Sequence, residues 1–143
     1  MATTCSSSAT SATTATALSP CGGPPISNLS INDVTQLETN AGTTTFAFTV
    51  SVVPPLATGN ITFDIATADG TATTANNDYV ANSLTAQVIP ANTGSYTFNV
   101  LVNGDTAVES DETFFVDLTN ISATGPSVPN VTDAQGLAGV GRT

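Results

Sequence analysis

The chain has 143 residues, of which 8% are charged against about 25% in an average soluble protein; eleven are acidic, Arg142 is the sole base, and the net charge is −10. So acidic a chain, without Lys or His, has no cationic patch for nucleic acid or an anionic membrane, no Ser-His-Asp or Cys-His machinery, no imidazole metal site and no Schiff-base lysine. No window approaches the ~18 apolar residues of a membrane-spanning helix, whereas 40% hydrophobic content at this length suffices for one core without metal or disulfide staples.

Residues 1–25 are a Thr/Ser/Ala-rich arm closed by Cys21-Gly-Gly-Pro-Pro25. Its apolar surface is too small to offset chain entropy. One expectation is therefore a flexible or O-glycosylated stalk. The other is an arm that adds as a strand to a neighbouring molecule, since the Thr-Ala alternation around Thr13–Ala17 has strand propensity. Cys5 and Cys21 match no metal-ligand spacing. A disulfide between them would contribute roughly 3 kcal/mol if the arm is ordered, and pairing between subunits stays equally open. Two cysteines in such a segment suit an oxidising, extracellular location. Met1-Ala-Thr-Thr lacks the basic and apolar regions of a secretory signal, so a signal would have been removed or the native start lies elsewhere.

From Ile26 the pattern turns to strands of period 2. Leu29 and Ile31 share a face in the first. Phe46, Phe48, Val50 and Val52 share one in the second, which Pro54-Pro55 ends. Ile61, Phe63 and Ile65 mark the third. A polar stretch over 66–83 precedes Leu84, Ala86 and Val88. Tyr96, Phe98, Val100 and Val102 follow, then Phe114, Val116 and Leu118. The last candidate, Gln135 to Gly141, is short and glycine-rich. No stretch has a helical period. About seven short strands predict an all-β, immunoglobulin-like antiparallel β-sandwich over 26–143 with an extended N-terminal arm.

Between the last two well-marked strands lies Gly104-Asp-Thr-Ala-Val-Glu-Ser-Asp-Glu-Thr-Phe114, which carries Asp105, Glu109, Asp111 and Glu112. Glu38, Asp69 and Asp78 stand in loops expected at the same end, and Asp133 before the last strand. Carboxylates brought that close repel unless a cation intervenes. Hard oxygen donors without imidazole or thiolate favour Ca²⁺. The plainer alternative is an acidic loop kept solvated in a lysine-free chain. A glycosidase carboxylate pair finds no support, because the chain has no Trp and only Tyr79 and Tyr96 to form a sugar platform.

Several pieces together resemble the Calx-beta domain, the module found in sodium–calcium exchangers, integrin β4 and many bacterial surface proteins. They are Ile31-Asn-Asp-Val-Thr35 with Glu38 after it, Ala66-Thr-Ala-Asp-Gly-Thr-Ala72, Asn77-Asp-Tyr79, the Gly104–Phe114 loop and Val116-Asp-Leu-Thr-Asn120, which together cover roughly residues 27–140. The resemblance implies an immunoglobulin-like sandwich. It also implies calcium ligands at Glu38, Asp69, Asp105, Glu109 and Glu112, with Asp111 or Asp78 nearby. One departure weakens that implication: calcium-binding members end the last strand in an acidic run, whereas this chain ends Gly139-Val-Gly-Arg-Thr143. A site short of two or three ligands would be weak or absent.

The leading expectation for function is a non-enzymatic, secreted structural protein that polymerises into an extracellular filament of identical subunits. The arm of one subunit would be donated to an edge strand of the next, because no lysine guards the edges. The alternatives are a calcium-binding adhesion module of a larger surface protein, or a passive spacer. Sequons at Asn28, Asn60, Asn120 and Asn130 occur about as often as chance gives in so Ser/Thr-rich a chain, but a weakly charged surface suits glycans.

Overall fold

Period-2 alternation turns one side of each strand inward, and two such sides close on each other. The computed structural model describes residues 26–142, and all regular structure in that range is strand. The strands are β1 (Asn28–Ile31), β2 (Val34–Leu37), β3 (Thr43–Val53), β4 (Ile61–Asp69), β5 (Ser83–Ile89), β6 (Ser95–Asn103), β7 (Glu112–Ala123), β8 (Asn130–Asp133) and β9 (Gln135–Gly141). One sheet has the order β6-β3-β1-β8, the other β2-β9-β7-β4-β5.

The core is what the alternation predicts. Leu29, Phe46, Phe48, Val50, Phe98, Val100 and Val102 come from the first sheet. Ile61, Phe63, Ile65, Phe114, Val116 and Val140 come from the second, all essentially inaccessible. Each such side chain contributes about 1.5–3 kcal/mol by leaving water. Phe114 sits at the centre of one half, 6.1 Å from the Phe46 ring, 6.3 Å from Phe48 and stacked at 4.2 Å on Tyr79.

The strand count rises from about seven to nine because the first and last strands each switch sheets midway. Asn32 and Asp33 make the first crossing. Asn32 stays tied to the sheet it leaves, its Oδ1 accepting from Thr49 N at 2.7 Å. Asp33 is tied to the sheet it enters, its Oδ1 accepting from Leu137 N at 2.8 Å. The chain's last strand crosses beside it: β1 pairs with β8 and β2 with β9, both in parallel. The expected antiparallel sandwich thus holds, with two parallel pairs added along this seam. Gly136 makes the joint crossing possible, since a Cβ there would come within 2.7 Å of the Asn32 carbonyl oxygen.

The inward set Leu84, Ala86, Val88 is also corrected. Thr85 and Ala86 both oppose Asp64, where the β4–β5 register jumps from Phe63↔Gln87 to Ile65↔Leu84. This β-bulge breaks the period, and Ala86 takes a φ of 53°. Leu84 and Val88 end up exposed, and only Ile89 of β5 is buried. A second register shift, between β4 and β7, lies across Asp64 from the first. The polar stretch over 66–83 begins as strand, since β4 continues to Asp69. The arm over 1–25, with Cys5 and Cys21, lies outside the described residues.

Candidate functional site

The parallel β2–β9 ladder determines what meets at one end of the sandwich. Beyond the last paired residues, Leu37 and Gly141, Glu38 N–H still donates to the Gly141 carbonyl at 2.9 Å. That step sets Glu38 and Arg142 side by side. The loop over 104–111, which carries the chain from β6 in one sheet to β7 in the other, closes over the same end. Gly104 fixes its start: its N–H donates to the Gly42 carbonyl at 2.9 Å, and a Cβ there would overlap the Thr39 carbonyl. Glu112 opens β7 opposite Val140, two residues before Arg142.

Arg142 occupies the space between. Its Nη1 pairs with Glu38, and its Nη2 lies 2.9 Å from Glu112 Oε2 and 3.0 Å from Glu109 Oε2. Its Nε donates to the Ser110 carbonyl at 3.2 Å, and its backbone N–H to Asp111 Oδ1 at 3.2 Å. The guanidinium side chain is 9% exposed and that of Glu38 2%. Burial works against the charge of Arg142, but its hydrogen bond to Glu38 and the carboxylates of Glu38, Glu109 and Glu112 outweigh this and raise its pKa. The Glu112 carboxyl is pushed above its ordinary value by burial and by the Asp78 charge, against the pull of Arg142. Burial is the larger of these causes, and the neighbouring carboxylates add to it.

Of the expected ligands, Glu38, Glu109, Asp111 and Glu112 are brought together, and Arg142 is what they hold. Asp69 and Asp105 have other occupations. Asp69 Oδ1 accepts from the Tyr79 hydroxyl at 2.6 Å and from Thr74 N at 3.0 Å. These two bonds lower its pKa, the tyrosine foremost. Tyr79 is raised well above its ordinary value, first by burial and then by its bond to Asp69. Asp105 Oδ1 accepts from Ala107 N at 2.7 Å, a turn within its own loop. Asp78, 8% exposed, accepts from Thr73 N at 2.7 Å. Asp133 stands at the crossing before β9, and the seven residues of that strand separate it from Arg142 by roughly 20 Å.

The fit of calcium to this arrangement can be tested directly. The ion takes six to eight oxygens at about 2.3–2.6 Å. Here the converging oxygens of Glu38, Glu109 and Glu112 all point at guanidinium nitrogens, so an ion among them would be pressed against a positive charge. With Arg142 in place the residues do not fit calcium. Among the described residues no group of three or more His, Cys, Asp or Glu is arranged to hold a metal ion.

Sequence reasoning missed Asp64. It lies outward in β4 between the two register shifts, where its Oδ1 accepts from Ala86 N at 2.8 Å and its Oδ2 from Asn120 Nδ2 at 2.6 Å. These bonds, Ala86 first, lower its pKa. Its one sequence signal was a carboxylate in the middle of a strand whose other residues, up to the terminal Asp69, are apolar or hydroxyl-bearing. The four sequon asparagines Asn28, Asn60, Asn120 and Asn130 are all exposed. The amide nitrogens of Asn120 and Asn130 donate to Asp64 and Asn28 respectively.

The Calx-beta domain family matches residues 29–137. Among solved structures, CBD12 from CALX1.2 is similar at 22% identity and a TM-score of 0.61, over 80% of this chain and 44% of that one. The calcium binding domain CBD12 of CALX1.1 is similar at 22% identity and a TM-score of 0.63, over 78% and 44%. The apo-form Calx CBD1 domain is similar at 20% identity and a TM-score of 0.60, over 82% and 98%. The chain spans less than half the length of the first two. At such identities the likeness is one of fold. No curated protein matches.

Proposed function

The chain belongs to the Calx-beta domain family, and from that premise we propose that it is a non-enzymatic, secreted structural module that assembles with copies of itself into an extracellular filament. Residues 1–25 of one copy add as a strand to the β8 edge of the next. The observation that carries this is the state of that edge. All four residues of β8 are exposed, and β8 pairs on one side only, with β1. Around the same end stand Ile26 at 66% exposure, Val53 at 63%, Val128 at 71% and Val131 at 42%. The register puts Val53 and Asn130 on either side of Asn28, where the arm meets the body. An open backbone edge flanked by apolar side chains and without lysine is a strand acceptor. A contact between different surfaces of successive copies propagates unless it closes into a ring.

Electron microscopy and size-exclusion chromatography of the full chain and of a chain lacking residues 1–25 test this. Polymers from the first and monomers from the second are expected, and Val131→Lys is expected to block assembly by charging the edge. Polymers that survive the deletion refute arm donation.

A second reading, a calcium-binding adhesion module of a larger surface protein, draws on the calcium binding domain among its structural relatives; it requires calcium to displace Arg142 from the carboxylates it pairs with. It predicts a monomer whose melting temperature rises with calcium. A passive spacer predicts neither polymer nor calcium response. Glycans on the exposed sequons fit either extracellular setting, and an intact mass equal to the bare polypeptide removes them.

A further inference from the structure

We infer that the Arg142 guanidinium is the resident cation of the carboxylate end of the sandwich, standing where a divalent ion would otherwise hold β2, β9 and the 104–111 loop together. This goes beyond the proposed assembly, and its test is independent of whether residues 1–25 join copies.

Three observations support it. The side chain reaches carboxylates from both sides of the gap: Glu38 at the end of β2, and Glu109 and Glu112 from the loop and the first residue of β7. Its Nε and its backbone N–H also take the Ser110 carbonyl and Asp111 Oδ1. One residue thus meets five oxygens in two segments distant in sequence, as an ion binding at the joint would. Second, Arg142 is the only base in the chain, so the cation sits where the acidic density is greatest and nowhere else. Third, Glu38 is 2% exposed, and a buried carboxylate without a positive partner is strongly unfavourable.

Guanidinium and calcium are therefore alternatives. They compete for the same oxygens, and the guanidinium is tethered, so it is present at every calcium concentration. The carboxylate end keeps its shape without external calcium.

Calorimetric titration of the whole chain with calcium, and melts in calcium or chelator, decide the matter. The unaltered protein is expected to show no saturable binding at millimolar calcium and the same melting temperature in both. Arg142→Gln is expected to melt about 10 °C lower in chelator and to recover part of that loss in calcium. With Glu38→Gln added, the recovery should vanish. Arg142→Lys, which keeps the charge but not the fork of donors, should lie between Arg142→Gln and the unaltered protein in chelator. Saturable calcium binding by the unaltered chain that Glu38→Gln abolishes overturns the inference. So does an Arg142→Gln protein that melts like the unaltered one, or that melts lower but gains nothing from calcium. Should Arg142→Gln fail to fold, Arg142→Lys and the titration of the unaltered chain still decide.

Discussion

Two regions of the molecule gather acidic side chains, by different means. At the end of the sandwich, Glu38, Glu109 and Glu112 are held by one charge, that of Arg142. In mid-sheet, Asp64 is held by two neutral donors, Ala86 N and Asn120 Nδ2, and at the end of β4 Asp69 is held by the Tyr79 hydroxyl and Thr74 N. The first arrangement ties the 104–111 loop to the paired ends of β2 and β9; the second pins a bulged strand pair at Asp64 and the loop after β4 at Asp69. A charge bridges a gap in which several carboxylates repel, whereas neutral donors suit a lone carboxylate beside unpaired N–H groups at a bulge.

The largest effect should separate the two. Arg142→Gln leaves Glu38 buried without a counter-charge and should cost about 3 kcal/mol, measured by denaturant unfolding. Glu38→Gln combined with it should cost less than the sum of the singles, with a coupling of about 1 kcal/mol or more. Next, Asp64→Ala should lower the melting temperature by less than Arg142→Gln does. That loss should be nearly unaffected by salt, since no opposite charge is involved.

Acidification should draw the contrast again. Asp64 and Asp69 have folded pKa values below their ordinary 3.8, so their stabilisation is complete above that value and is lost as pH falls through the folded values. Glu112, raised by burial and Asp78, acts in the opposite direction and favours the fold as it protonates. Asp64→Asn should therefore flatten the acid limb of a stability–pH curve, and Glu112→Gln should steepen it. At the alkaline end Tyr79, with its raised pKa, stabilises fully below its ordinary value near 10 and loses that contribution as pH rises further. Tyr79→Phe should flatten the limb above pH ~10. The smallest effect belongs to Glu109, whose side chain is 35% exposed: Glu109→Gln should cost under ~1 kcal/mol, and less in high salt.

What the sequence disclosed follows the same physics. Phe46 to Val52, Ile61 to Ile65, Tyr96 to Val102 and Phe114 to Leu118 alternate because each strand has one wet and one dry side, so the sandwich was legible. Which strands pair in parallel was not, because alternation records faces and not partners. The divided first strand escaped because Asn32 and Asp33 look like loop residues, whereas each hydrogen-bonds into a different sheet. Strand β5 was placed, but its inward face was misassigned, since a bulge shifts the period without any mark in the residues of β5; Asp64, which accepts from Ala86 N at that bulge, lies on the neighbouring strand. At the carboxylate end, Glu38, Glu109, Asp111 and Glu112 were legible as carboxylates in loops expected at one end of the sandwich, and the resemblance to a family pattern pointed to the same residues. Arg142 was noticed as a departure from it, while its reach across to Glu38 follows only from the parallel β2–β9 register.

That register has a mechanical consequence. The described chain enters at the start of β1 and leaves beyond the end of β9, at opposite ends of the sandwich, along strands that run side by side in the same direction. Tension applied between the two ends slides β1 and β2 past β8 and β9, so their hydrogen bonds are strained together and do not open one after another. Arg142, gripping Glu38 across that seam, lies at the end of the sliding path as a charged latch. Pulled lengthwise, the module should yield abruptly and at higher force than when pulled across its strands.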